Sequence, residues 1–306
     1  LALSDEYIAG RLAMGDEYVR RYVDAVDWGA HEGRIFDIHP MSILEPTPGL
    51  LDKIKNTMKL HRVYDHGEMN PSACLWYATD TEGNVFFYRE YGAANVLVSD
   101  HRKAIYAMSQ DDKIGSDPPH YYSNLADPAI FAKNRGRSLT SAPTWSVADE
   151  FTDTRIMDPK TAIYWRRANN DEAMTINRVR EYLKSDYTHR HPFNGRIGAP
   201  RAFFVRRTDD YPWGCHEVLT DIRSAKREEL GTAPDGTKMF GDNRDEKVRD
   251  HWLDCVRYAI GMRPALATKI VVEPDEPNSI KFNDYLEMMD EMNRKPVDLR
   301  DMISRY

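Results

Sequence analysis

Between residues 59 and 91 the chain alternates apolar runs with turn residues. The runs 59–65, 73–79 and 85–91 are rich in β-branched and aromatic side chains, separated first by His66-Gly67 and then by Asp80-Thr81-Glu82-Gly83-Asn84. Short polar links between such runs predict three strands in an antiparallel meander. From there the spacing shifts toward the helical period. Ala104, Ile105, Ala107 and Met108 share one side of a predicted helix over 100–110, with Ser99 as its expected N-cap. A strand over 121–126 ends at Asp127-Pro128, with a helix expected to follow. Further helices are expected over 174–184, 217–230 and 245–260, and a strand over 202–205. Outside this block, residues 4–28 and 280–292 carry helical patterns, while the Pro- and Gly-bearing stretch 33–49 suits a linker and 136–146 a loop. A strand-rich opening followed by mixed helices and strands favours an α/β or α+β layer fold with a mixed sheet.

The 306 residues suffice for about two domains, and 41% apolar content with 33 aromatics excludes a wholly disordered chain. No apolar run approaches the roughly 20 residues of a bilayer span, and the first residues have neither the basic start nor the apolar core of a secretory signal. Because Leu1 stands where an initiator Met would, a fragment or a processed chain is expected. Cys74, Cys215 and Cys255 are too scattered for a zinc ribbon or a disulfide framework, which points to a reducing compartment. Overall charge is acidic, 42 basic against 49 acidic residues giving −7, yet residues 155–207 hold 12 Lys/Arg and 5 Asp/Glu. An acidic protein can therefore present a basic face.

Several chemistries find no support. Gly231 to Lys238 imitates a phosphate-binding loop, but Thr237 precedes Lys238 and Pro234 removes a cradling N–H. Dinucleotide, zinc-protease and serine-hydrolase motifs are absent from the sequence. What remains is a set of acids at element ends. Asp65 closes the first predicted strand beside Gly67, Asp127 closes a later one, and Asp254 lies on the last helix with Asp250 and His251 four and three residues earlier, on one face. Three acids converging at one end of a sheet could hold hard dications through oxygen ligands. Each could instead have a local structural role, Asp254 for example pairing with Arg257 or Arg249.

The order of these acids resembles that of ribonuclease H-like nucleases. The stretches Tyr64-Asp65-His66-Gly67 with Asn70-Pro71-Ser72-Ala73, Ala126-Asp127-Pro128-Ala129, and Asp250-His251-Trp252-Leu253-Asp254-Cys255-Val256-Arg257-Tyr258-Ala259 are similar to the nuclease domain of large terminase subunits of tailed phages. The last is the most specific, a D-H-x-x-D-x-x-R-Y pattern. Upstream, Gly10-Arg11-Leu12 through Gly33-Arg34-Ile35-Phe36 looks like the tail of that family's ATPase domain. This resemblance implies a ribonuclease H-like mixed sheet, an antiparallel three-strand meander plus parallel strands flanked by helices. It implies residues 1–50 as ATPase tail and linker, 51–265 as nuclease and 266–306 as a tail with one helix.

The resemblance further implies cleavage of double-stranded DNA with two Mg²⁺ or Mn²⁺ ions. Asp65, Asp127 and Asp254 would be metal ligands and His251 an accessory group. Portal and small terminase subunit would be partners in the cytoplasm of an infected host. The Walker ATPase of the full family protein is missing from this chain, which should then cut without translocating. Arg166, Arg167, Arg178, Arg180, Lys184, Arg201, Arg206 and Arg207 are candidate phosphate contacts. Other readings are a resolvase or transposase of the same fold class, and a non-catalytic DNA-binding assembly module. His189 and His191 are expected at the surface, and Glu90 in cross-strand pairing.

Overall fold

The computed structural model describes residues 33–67, 70–133, 145–155, 157–233, 238–245 and 247–263. The helices expected over 4–28 and 280–292, the ATPase-like tail before residue 33 and most of the loop 136–146 lie outside them.

The meander forms as the sequence predicts. Strands β2 (Lys59–Asp65), β3 (Ser72–Thr79) and β4 (Val85–Ala93) pair antiparallel, Asp65 opposite Ala73 and Ser72 opposite Ala93. Each of the eight β3 residues is buried, because helices cover both sheet faces. Ala73, Leu75 and Tyr77 enter one core cluster while Cys74, Trp76 and Ala78 enter the other, following the two-residue period of a strand. Two later strands extend the sheet in parallel beyond β2: β5 (Ser123–Ala126) and then β6 (Arg166–Arg167). On the opposite side β7 (Ala202–Val205) pairs parallel with β4, and β1 (Ile43–Leu44) parallel with β7. The order is β1-β7-β4-β3-β2-β5-β6.

Six α-helices are described: α1 (Pro48–Thr57), α2 (Val98–Ser109), α3 (Val147–Thr152), α4 (Glu172–Leu183), α5 (Glu217–Ser224) and α6 (His251–Gly261). Helices α4, α5 and α6 bury Val179, Ile222 and Val256 in the cluster that holds Val63 and Leu75, whereas Ile54 of α1, Ile105 of α2 and Phe151 of α3 join the cluster on the other face. Two close approaches fix α6. A Cβ at Gly92 of β4 would overlap the Trp252 ring, and one at Gly261 would come 2.5 Å from Thr175 Cγ2 on α4.

The structure corrects several expectations. The stretch expected as linker carries β1 and the start of α1, where Thr47 Oγ1 accepts from Leu50 N at 3.2 Å and Pro48 takes the first helical position. Ser99 lies inside α2 and Leu97 occupies the N-cap without a side-chain bond. After Asp127 comes a 3₁₀ turn, Pro128–Phe131, and not a helix. The helix expected over 217–230 stops at Ser224. There the chain turns extended, Ala225 O accepts from Ile35 N, and Arg227 N donates to Gly33 O. A hairpin follows, β8 (Arg227–Thr232) with β9 (Lys238–Arg244), forming its own two-stranded sheet. Asp245 closes that hairpin through its N–H to Lys226 O, so the last helix begins six residues later than expected, at His251.

Candidate functional site

Parallel pairing of β2 and β5 matches Tyr64 with Ala126, which brings the next residues, Asp65 and Asp127, side by side at one end of the sheet. Asp127 N donates to Tyr64 O at 3.0 Å, and its Oδ1 accepts from Ala129 N at 3.2 Å, capping the 3₁₀ turn. Gly67 supports the exit from β2 through space: a Cβ there would stand 2.5 Å from the Asn70 carbonyl oxygen. Its φ is not among the positive ones, so close approach, and not the conformational freedom expected of a glycine, explains the residue.

Helix α6 crosses this sheet end on the Val63 face. His251, its first residue, donates from Nδ1 to Asp65 Oδ2 at 3.0 Å. Asp65 is 6% exposed. Burial pushes its carboxyl up to about 6; the His251 hydrogen bond opposes this, and the negative charges of Asp254 and Asp127 add to it. The same hydrogen bond holds His251 above its ordinary value. Asp254 sits one turn along α6, and its Oδ1 accepts from Arg244 Nη1 at 2.8 Å and Arg257 Nη1 at 2.7 Å. A further turn along, Tyr258 is raised well above its ordinary value by burial first, then by Asp254, Asp65 and Asp127. Asp65, Asp127, Asp254 and His251 are thus placed at the same end of the sheet, with Asp65 and His251 in direct contact.

Burial, followed by the charge of Asp254, also pushes Asp250 upward. Asp250 Oδ2 lies 3.0 Å from Arg244 Nη2. The pairing of Asp254 with Arg257 is observed, whereas Arg249 binds Asp221 and Glu217. Sequence reasoning missed Arg244 and named Tyr258 only as part of the closing pattern. Tyr258 carried a signal, since it follows Asp254 by one helical turn; Arg244 carried none, being placed by the hairpin.

The donor chemistry fits hard dications: carboxylate oxygens from three elements, with mutual repulsion a cation would relieve. As they stand, the side chains do not close around one. Arg244, Arg257 and His251 hold the oxygens, and among the described residues no group of three or more His, Cys, Asp or Glu is arranged to bind a metal.

The basic candidates divide. Arg178 donates to Gly261 O, Arg201 pairs with Asp186, Arg206 with Glu45, and Arg207 with buried Glu90. Arg166 and Arg167 on edge strand β6 are exposed and make no ion pair among the described residues; Arg167 lies over the Phe131 ring, beside Asp127. Arg180 and Lys184 are exposed on and after α4. Glu90, besides pairing with Arg207 just beyond the neighbouring strand β7, accepts from the backbone of His216, Glu217 and Val218 at the start of α5. His189 and His191 are buried, contrary to expectation, and organise their own loop. No described helix is long and apolar enough to cross a membrane.

Three consecutive antiparallel strands, two more added in parallel beside the first, and a closing helix across the acid that ends it define a ribonuclease H-like fold. No protein-family model and no curated protein matches the sequence. Among solved structures, the large terminase from the thermophilic bacteriophage D6E is similar over 86% of this chain and 53% of its own, at 17% identity and TM-score 0.47. The same terminase in complex with ADP gives 89%, 53%, 17% and 0.48. The P22 large terminase nuclease domain is similar over 76% of this chain and 94% of its own, at 14% identity and TM-score 0.43. The chain spans about half the length of the D6E terminase.

Proposed function

We propose that the chain is a metal-dependent endonuclease that cuts double-stranded DNA concatemers while a viral genome is packaged. The observation that carries this reading is Asp65, a buried carboxylate pushed up to about 6 at a sheet end it shares with Asp127 and Asp254. Such an acid is costly for the fold and useful to a cation site. Bound there, two Mg²⁺ or Mn²⁺ ions would supply an activated water and stabilise the departing oxygen of the phosphodiester.

In this reading Asp65, Asp127 and Asp254 hold the ions. His251 orients Asp65 through the Nδ1 hydrogen bond, and Arg257 fixes the rotamer of Asp254. Arg166 and Arg167, one strand beyond Asp127, neutralise phosphates flanking the cut. Portal and small terminase subunit are the proposed partners, and the cytoplasm of an infected host the proposed setting.

The test is nicking of supercoiled plasmid in Mn²⁺. Asp65→Asn is expected to lower the rate by about a hundredfold or more with an unchanged circular dichroism spectrum. Asp254→Asn should also abolish cutting, but it leaves Arg257 without its carboxylate and so lowers stability as well. Full cleavage by Asp65→Asn would refute the nuclease reading. Salt-dependent duplex binding without cutting in any metal would favour the assembly module.

A further inference from the structure

Arg244 is the last residue of β9, yet its guanidinium stands among the acids of another element. Nη1 reaches Asp254 at 2.8 Å and Nη2 reaches Asp250 at 3.0 Å, with the side chain 10% exposed. Nε lies 3.3 Å from Glu172 Oε1, but it is buried without a hydrogen bond, so the fit is incomplete. Asp250 occupies the N-cap of α6 and makes no capping bond; its carboxylate turns to Arg244 instead. Arg257 differs, since it belongs to α6, pairs with Asp254 at the (i, i+3) spacing and is tied by Nε to Thr175. Three carboxylates here meet two guanidinium charges, leaving one negative charge uncompensated. Exchanging Arg244 for a dication would remove that remainder.

The strands of the hairpin pair with each other, apart from the seven-stranded sheet. Among its contacts with the body are the Arg34–Lys226 bridge, the Arg227 N–H to Gly33 O bond, Phe240 against Gly33, and Arg244, while the Lys226–Asp245 ion pair closes its own base. Arg244 pairs with Arg227 at the base of this hairpin, outside the seven-stranded sheet, so its long side chain can withdraw from the acids while that sheet stays intact.

We propose that Arg244 is the resident counter-cation of the α6 acids, displaced when a dication binds at Asp254, so that seating of Arg244 and metal binding there exclude each other. This inference rests on the metal reading above.

The test is Mn²⁺ binding by the full chain without DNA, followed by calorimetry, for the unmodified protein, Arg244→Gln, Arg244→Lys and Asp254→Asn. Removing one positive charge from the cluster should tighten Mn²⁺ binding about tenfold in Arg244→Gln, whereas Arg244→Lys should stay near the unmodified protein. In a second arm, saturating Mn²⁺ should speed amide hydrogen exchange across β8 and β9 of the unmodified protein. That arm decides the question even where Arg244→Gln fails to fold. Unchanged or weaker binding by Arg244→Gln, or hairpin exchange indifferent to Mn²⁺, overturns the proposal. If Asp254→Asn alone loses binding, the metal reading survives the loss of this inference. If no variant and not the unmodified protein binds Mn²⁺, both fall.

Discussion

Two buried aspartates on opposite faces of the sheet meet opposite treatment. Asp112, in the 3₁₀ turn after α2, receives Arg89 Nη1 and Nη2 at 3.1 and 3.0 Å, Tyr88 at 2.9 Å and Tyr121 at 2.5 Å. Its charge is matched and its oxygens are filled. Among the described residues the Asp65 side chain receives one hydrogen bond, from His251, and faces the charges of Asp254 and Asp127. Burial is nearly the same, 1% and 6% exposed. What separates an acid that holds the fold together from one that is available for chemistry is therefore the balance of charge around it, and depth says little.

The largest expected effect is on the satisfied acid. Asp112→Asn leaves the Arg89 guanidinium, 3% exposed, with only the solvent-exposed Asp111 carboxylate, 3.8 Å away, as counter-charge. Stability should fall by about 3–5 kcal/mol in chemical denaturation. A loss below about 1 kcal/mol would mean that water reaches Arg89 and that the contrast with Asp65 is false.

Asp65→Asn should act the other way. The folded value of about 6 lies above the ordinary 3.8, so the folded state binds the proton more tightly than the unfolded chain. Stability from this group is present at low pH and is lost as pH rises from about 4 to about 6. Asparagine does not titrate and still offers His251 an acceptor. The variant should match the unmodified protein near pH 4 and gain on it as pH rises, levelling above about 6 at no more than about 3 kcal/mol. Denaturation without divalent metal at a series of pH values checks this. A variant less stable at pH 8 would show that Asp65 is held as firmly as Asp112.

The meander and the acids that end β2 and β5 were legible in the sequence. Strands buried on both faces must be nearly continuous in apolar residues, and the turn residues beside Asp65 and Asp127 mark where those strands stop. Helix α6 was legible for a similar reason, Leu253, Val256 and Ile260 keeping one face apolar. The hairpin was not. Arg227-Glu228-Glu229-Leu230 reads as the end of a charged helix, and it is pairing with β9, together with the bonds of Ala225 and Arg227 to Ile35 and Gly33 nearly 200 residues earlier, that makes it a strand. Arg244 was invisible for that reason; the partners of Asp112 instead lie within 24 residues of it, but no periodicity joins them. Thr47-Pro48, by contrast, was a readable helix start that the neighbouring Pro and Gly residues disguised as linker.

Charges outside both clusters supply the smallest effect on stability and the control for the comparison. Arg166 and Arg167 are exposed, sit on an edge strand and make no ion pair among the described residues. The Arg166→Ala, Arg167→Ala double variant should therefore shift stability by less than about 0.5 kcal/mol. Their position beside Asp127 makes them the basic residues best placed to meet a phosphate backbone near the acids. Duplex affinity at moderate salt should fall about tenfold, and the slope of log affinity against log salt should shrink by about 2, one for each phosphate no longer neutralised. Arg206→Ala, which breaks a surface pair with Glu45, should leave both the affinity and the slope almost unchanged. An equal loss of affinity in the two variants would mean that duplex DNA responds to overall charge and that the strand beside Asp127 has no special claim on it.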